Sequence, residues 1–190
     1  MHTNRRQVLA ALALVPGMAL AASSLTESGS DQEHDAVEQT DLAAKNAAIL
    51  RRQNAVMNSG GYSAAAQFAA EDADNFGRHA GRKGNLAVLQ DIYTTFPDWR
   101  MEIEDLAAVG DAVITRVTVT GTHKGVGKLH INGGLLVGVP PTGKSFKVEH
   151  IHWCTLKDGL IVDHHAVRDD LSMMQQLGLL PQVKPYAPPR

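Results

Sequence analysis

The feature that most restricts this chain is a pair of alternating runs, Phe146 to Leu156 and Leu160 to Val167, separated by Lys157-Asp158-Gly159. A period of two is the pattern of a strand with one buried face, and an Asp-Gly turn folds the second run antiparallel onto the first. Side chains two apart share a face, so His150 and His152 follow Phe146 and Val148 inward. By the same count Asp163, His165 and Asp169 share a face of the returning strand. The stretch His150 to Leu180 holds four of the chain's nine histidines, and imidazoles beside carboxylates in one cavity are suited to proton transfer. The alternative, a solvated hairpin face, is disfavoured by the apolar residues of the same parity.

Upstream, apolar residues at helical spacing from Ala36 to Met57 predict a helix that Ser59-Gly60-Gly61 ends. Tyr62 to Ala70 reads as a short alanine-rich helix, and Asp72 to Gly84 as a loop carrying Asn75, Arg78 and His79. Asn85 caps a helix over Leu86 to Thr95 that Pro97 limits. Strands follow over Arg100 to Ala108 and Val113 to Thr122, then a Gly-rich loop from Lys124 to Gly143, the hairpin, and a closing helix or turn over Leu171 to Leu177. Helices first and antiparallel strands later predict an α+β domain in which a curved antiparallel sheet wraps around N-terminal helices as a cone.

Residues 1–22 have the form of an export signal of the twin-arginine type: Arg5 and Arg6 in a polar head, an apolar run from Val8 to Leu20, and Ala19-Leu20-Ala21 as a cleavage site. The apolar run is shorter than the roughly 20 residues that span a bilayer, so stable membrane insertion is not expected and the destination is periplasmic or secreted. Residues 23–35 are polar and read as a flexible linker, 36–181 as one domain, and 182–190 as a C-terminal tail. Removing the signal leaves 16 basic against 20 acidic residues. No basic patch appears, which argues against nucleic acid as a partner. Cys154 is the single cysteine, so no internal disulfide forms, and on a strand it is expected to be a small buried residue.

Phe96-Pro97-Asp98, then Gly121-Thr122-His123-Lys124-Gly125, then Pro140-Pro141-Thr142-Gly143-Lys144, then Ala166-Val167-Arg168-Asp169-Asp170-Leu171 with Gln176-Leu177-Gly178 occur in an order that resembles SnoaL-like polyketide cyclases and their ester cyclase relatives. The likeness runs from about Ala36 to Leu180. It implies a nuclear-transport-factor-like cone with a deep pocket for a small-molecule substrate, homodimers formed through the sheet, and ring closure by intramolecular aldol condensation without metal or cofactor. It also implies an aspartate acid/base beside a histidine, which carries over to Asp169 and His152. The chain departs from many relatives in having Asp163-His164-His165 in place of Glu-His-Trp, and Thr155 where an arginine is common.

The residues themselves permit cyclase, isomerase or lyase chemistry on a small carbonyl compound, since an aldol or retro-aldol closure, an isomerisation and a dehydration all begin with the same proton removal. Removing a proton α to a carbonyl needs a base, and the enolate that forms needs a hydrogen-bond donor. The candidates are Asp169, His152, His165, His150 and Asp163, with Asp163 competing for the base and Asp170 assigned to capping the last helix. Trp153, His79, Asn75 and Phe96 are the candidate substrate-binding residues. Two other classes remain open. His150, His152, His165 and Asp169 could form a metal set, and the cone could hold an apolar ligand without catalysis. His123 and His79 are expected at the surface or in loops. Exchanging Arg5 and Arg6 for Lys should abolish accumulation of the folded protein in the periplasm, with the mature chain beginning near Ala22; full accumulation of the variant by cell fractionation would indicate the general secretory route.

Overall fold

The computed structural model describes residues 27–129 and 135–180, with side chains from residue 36 onward. The expected export signal and C-terminal tail lie outside the described residues. The chain divides into two units, 1–35 and 36–190, and apart from the start of the first helix all elements belong to the second. They run α1 (Glu27–Asn58), α2 (Tyr62–Ala66), β1 (Ala69–Asn75), β2 (Arg78–His79), α3 (Gly81–Thr95), β3 (Arg100–Val109), β4 (Ala112–Thr122), β5 (Ser145–Lys157), β6 (Leu160–Arg168) and α4 (Asp170–Gln176). Helix α1 begins nine residues before the expected Ala36.

The six strands form one sheet in the order β2-β1-β6-β5-β4-β3. It is not antiparallel throughout, because β1 runs parallel to β6. The sequence predicts helix and loop where β1 lies. Ala-Ala-Glu-Asp-Ala-Asp-Asn has no β-branched residue to signal a strand, and pairing with β6 together with burial of Ala69, Ala70 and Ala73 makes it one. Helix α3 likewise starts at Gly81 rather than after Asn85. Gly81 has φ +60, and a Cβ there would stand 2.3 Å from the Glu71 carbonyl oxygen, so only glycine fits this entry.

Helix α1 is pinned by asparagines four and eight residues apart on one face. Asn46 Nδ2 donates to the Gly110 carbonyl at 3.0 Å, while Asn54 and Asn58 both donate to the Met101 carbonyl. Asn58 Oδ1 also accepts from Met101 N at 2.9 Å. Beneath, the inward residues of β4 and β5 interlock. Val117 faces His150, Val119 faces Val148, and Gly121 faces Phe146, all in or beside a core that includes Phe96, Met173, Met174 and Leu177.

The β5–β6 turn forms as the sequence predicts. Asp158 and Gly159 both take positive φ (51° and 77°), as a two-residue turn matched to strand twist requires. Two residues later the pairing slips: Leu156 opposes Ile161, but Thr155 opposes Asp163. Val162 is therefore an extra residue, a β-bulge, and every side chain beyond it changes face.

Candidate active site

The sheet, α1 and α3 enclose a cavity of ≈ 790 Å³, walled by Leu50, Met57, Leu89, Ile92, Phe96 and Ile103 among others. One group of its polar residues sits at the β1–β6–β5 end, while others such as Asn54, Asp91 and Thr115 come from α1, α3 and β4. His150 and His152 point inward from β5, as their parity predicts, and Asn75 and Phe96 line the same space. Asp163 and His165 do not. The bulge at Val162 turns them to the outer face, where they lie beside each other (His165 Nε2 to Asp163 Oδ2, 3.4 Å), His165 exposed and Asp163 partly so. His164 and Arg168, pointing outward by a simple alternating count, line the cavity in their place.

Asp169 is not in the cavity either. It is the N-cap of α4, its Oδ1 accepting from Ser172 N at 3.0 Å. That bond holds its carboxyl below the usual range, and such caps are worth about 0.5–2 kcal/mol. Asp170, expected as the cap, lies in the first helical turn with Oδ2 3.7 Å from Arg168 Nε. Trp153 is 52% exposed on the outer face, and it is Trp99 that lines the cavity. His79 is exposed beside Asp74 at 3.4 Å. His123, expected near the surface, is fully buried against Phe96, its Nδ1 near Thr142 N. The four groups weighed as a metal set thus do not converge, and among the described residues no cluster of three or more His, Cys, Asp or Glu is placed to hold an ion.

What converges is a hydrogen-bonded file. Asn75 pairs with His164 across the parallel β1–β6 edge, and its Oδ1 lies 2.9 Å from His164 Nδ1. His164 Nε2 in turn lies 2.9 Å from His152 Nδ1, with the two rings stacked 5.1 Å apart. An amide oxygen only accepts, so His164 Nδ1 carries the proton. In a neutral ring Nε2 is then bare and accepts from His152 Nδ1–H. His152 Nε2 is left as a lone pair, buried and with no partner among the described residues. His150 continues the row, 5.6 Å from His152 and 6.4 Å from Trp99.

Electrostatics keep the row neutral. Burial lowers His150 to about 4, helped by the Arg168 charge. Burial and the neighbouring imidazoles and Arg168 push His152 well below the ordinary value. Burial and Arg168 lower His164 to about 4. Cys154, also lining the cavity, is pushed up to about 12 by burial, so it is a thiol and not a nucleophile. At the mouth Phe76 has φ 54°, uncommon for a bulky residue. This conformation sets its ring edge-on to His164 at 5.4 Å and beneath the Arg168 guanidinium at 4.9 Å.

These shifts fix the pH dependence of stability. A histidine whose folded pKa lies below the unfolded value near 6.5 binds its proton first in the unfolded chain, so acidification from about pH 6.5 toward 4 destabilises the fold. Above pH 6.5 the contribution is constant. Urea unfolding at pH 7, 6 and 5 should show this fall, and His152→Gln should reduce its slope by up to ~1.4 kcal/mol per pH unit. An unchanged slope would mean that His152 is not buried and neutral.

Comparison with known proteins agrees with the fold and extends it. The family profile described as SnoaL-like polyketide cyclase matches residues 47–177. The chain is 30% identical over 103 residues to the nogalonic acid methyl ester cyclase of Streptomyces nogalater, covering 54% of this chain and 70% of that one. Among solved structures it is similar to IdmH of Streptomyces antibioticus, provisionally assigned as a polyketide cyclase, with 28% identity, a TM-score of 0.57, and coverage of 70% of this chain and 98% of that one. It is also similar to a Bacillus cereus protein with the same provisional assignment, with 27% identity, a TM-score of 0.56, and coverage of 72% and 83%. By sequence profile, relative and fold together, the chain belongs to the SnoaL-like polyketide cyclase family.

Proposed function

We propose that this protein is a cofactor-independent acid–base enzyme that closes a ring in a small enolisable carbonyl compound, with His152 as the base. One observation carries the reading: the Asn75–His164–His152 hydrogen bonds leave an unprotonated, unpartnered Nε2 on a histidine that lines the cavity. The family and the activity named for the Streptomyces nogalater relative support the reaction class.

In the proposed reaction, His152 Nε2 takes a proton from the carbon α to a carbonyl, leaving an enolate. The enolate carbon attacks a second carbonyl of the same molecule, a C–C bond forms, and the new alkoxide recovers the proton from His152 Nε2–H. Substrate and product are isomers, and no electrons leave or enter. While His152 is charged, its Nδ1 proton can move toward His164 Nε2, spreading the charge along a file that ends on the Asn75 oxygen. A base whose pKa lies below the ordinary histidine range requires an acidified carbon, which favours a methylene between two carbonyls. The apolar walls suit the remainder of such a molecule.

The wider setting remains part of the proposal. Export is supported by the sequence of residues 1–22, and pairing through the sheet by exposed Ile151, Trp153 and Val167 on its outer face.

The test uses nogalonic acid methyl ester and its free acid as substrates in D2O, with ring closure and deuterium incorporation followed by mass spectrometry. His152→Gln should lower turnover by roughly 10²–10⁴-fold. Asp169→Asn should change it little, because asparagine caps nearly as well as aspartate. Full turnover by His152→Gln, or its loss in Asp169→Asn with the fold intact, would return the base to Asp169.

A further inference from the structure

Arg168 is the feature of the cavity that proton abstraction by His152 leaves without a role. It stands directly across the β5–β6 ladder from His150 and on the same face. Its side chain is only 19% exposed, and a buried guanidinium is expensive unless it is paired. One edge of it is engaged, with Nε 3.7 Å from Asp170. One face is covered, with the Phe76 ring 4.9 Å below. The two terminal nitrogens, which present parallel donors matched to a planar carboxylate, have no partner among the described residues.

Other carboxylates lining the cavity are committed elsewhere. Asp91 accepts from Lys128 N and Leu129 N at 2.9 and 3.1 Å, and Asp74 lies beside exposed His79. Opposite Arg168, His150 is 3% exposed, and neither ring nitrogen has a partner among the described residues. A neutral imidazole always carries one N–H. Two guanidinium donors and an imidazole donor therefore lie at the same end of the chamber.

We propose that Arg168, with His150, binds a carboxylate on the substrate, so that this chain selects a free acid where the Streptomyces nogalater relative is named for a methyl ester. The inference rests on the cavity being the reaction chamber. It also has a consequence for the base. Arg168 is one of the charges that hold His152 low, so an anion seated on the guanidinium offsets that charge and makes His152 a stronger base when the correct substrate is bound. A neutral ester would leave the base weak.

The test is isothermal titration calorimetry of the full mature chain at pH 8 with 2-naphthoate and with 2-naphthamide, a neutral molecule of nearly the same shape. The native protein should bind naphthoate at least about tenfold more tightly than naphthamide. Arg168→Gln should abolish that preference by weakening naphthoate alone, and Arg168→Lys, which keeps the charge and loses the fork, should retain part of it. Should Arg168→Gln fail to fold, the native preference and its partial loss in Arg168→Lys decide. Equal affinities in the native chain, no naphthoate binding up to about 1 mM, or a preference untouched by Arg168→Gln would each overturn the proposal. Binding requires no turnover, so these outcomes leave the role of His152 to be judged separately by deuterium exchange.

Discussion

The one-residue slip in β5–β6 pairing at Val162 sets the polar chemistry of the cavity. Without it, the strand that begins with buried Ile161 would present Asp163, His165 and Val167 inward. With it, His164, Ala166 and Arg168 face inward instead, opposite Cys154, His152 and His150. A second slip, at Glu104 between Ile103 and Asp105 of β3, performs the same exchange on the far side of the sheet. There it lets Met101 and Ile103 before the bulge, and Leu106 and Ala108 after it, all pack against core clusters. Bulges also increase local twist, which suits a sheet that must curve around helices.

Three histidines buried within about two ring widths of one another would repel if charged. Neutrality is the condition under which they can coexist, and it follows from desolvation first, then from Arg168 for His150 and His164 and from the neighbouring imidazoles for His152. Neutral rings then have to choose tautomers, and the choice is propagated from one end. Asn75 accepts, His164 donates to it and accepts from His152, and the lone pair is left on Nε2 of His152, which lines the cavity. The strand β1 that supplies Asn75 is tied to β6 by this same pairing, so the fold and the orientation of the base share a support. Phe76 adds a packing constraint, its left-handed backbone conformation allowing one ring to touch both His164 and Arg168.

Much of this was legible in the residues. The hairpin, its Asp-Gly turn and the inward parity of His150 and His152 follow from period-two patterning, because β5 is regular from end to end. The β6 side of the site was not, since Val162 carries no glycine or other mark of a bulge and one uncounted residue inverts everything after it. That inversion replaced His164 with His165 and hid Arg168. The exchange of roles between Asp169 and Asp170 has a similar origin, because either aspartate can precede a helix and only the strand's exit direction selects one. Strand β1 was illegible for another reason: its alanines and acids favour no strand, and only partners distant in sequence make it one. Trp153 and Trp99 are alike in composition terms, and strand parity decides that the first faces outward.

The central claim is that His152 is a neutral imidazole protonated at Nδ1, with Nε2 bare. Long-range proton–nitrogen correlation NMR of the ¹⁵N-histidine-labelled protein reads this directly, through the chemical shifts of both ring nitrogens from pH 8 to 5. The account predicts Nδ1–H and an unprotonated Nε2 on both His152 and His164 across that range, with neither ring becoming charged. A His152 that titrates near pH 6.5, or that carries its proton on Nε2 because the Asn75 amide is turned over and the file runs the other way, would contradict it.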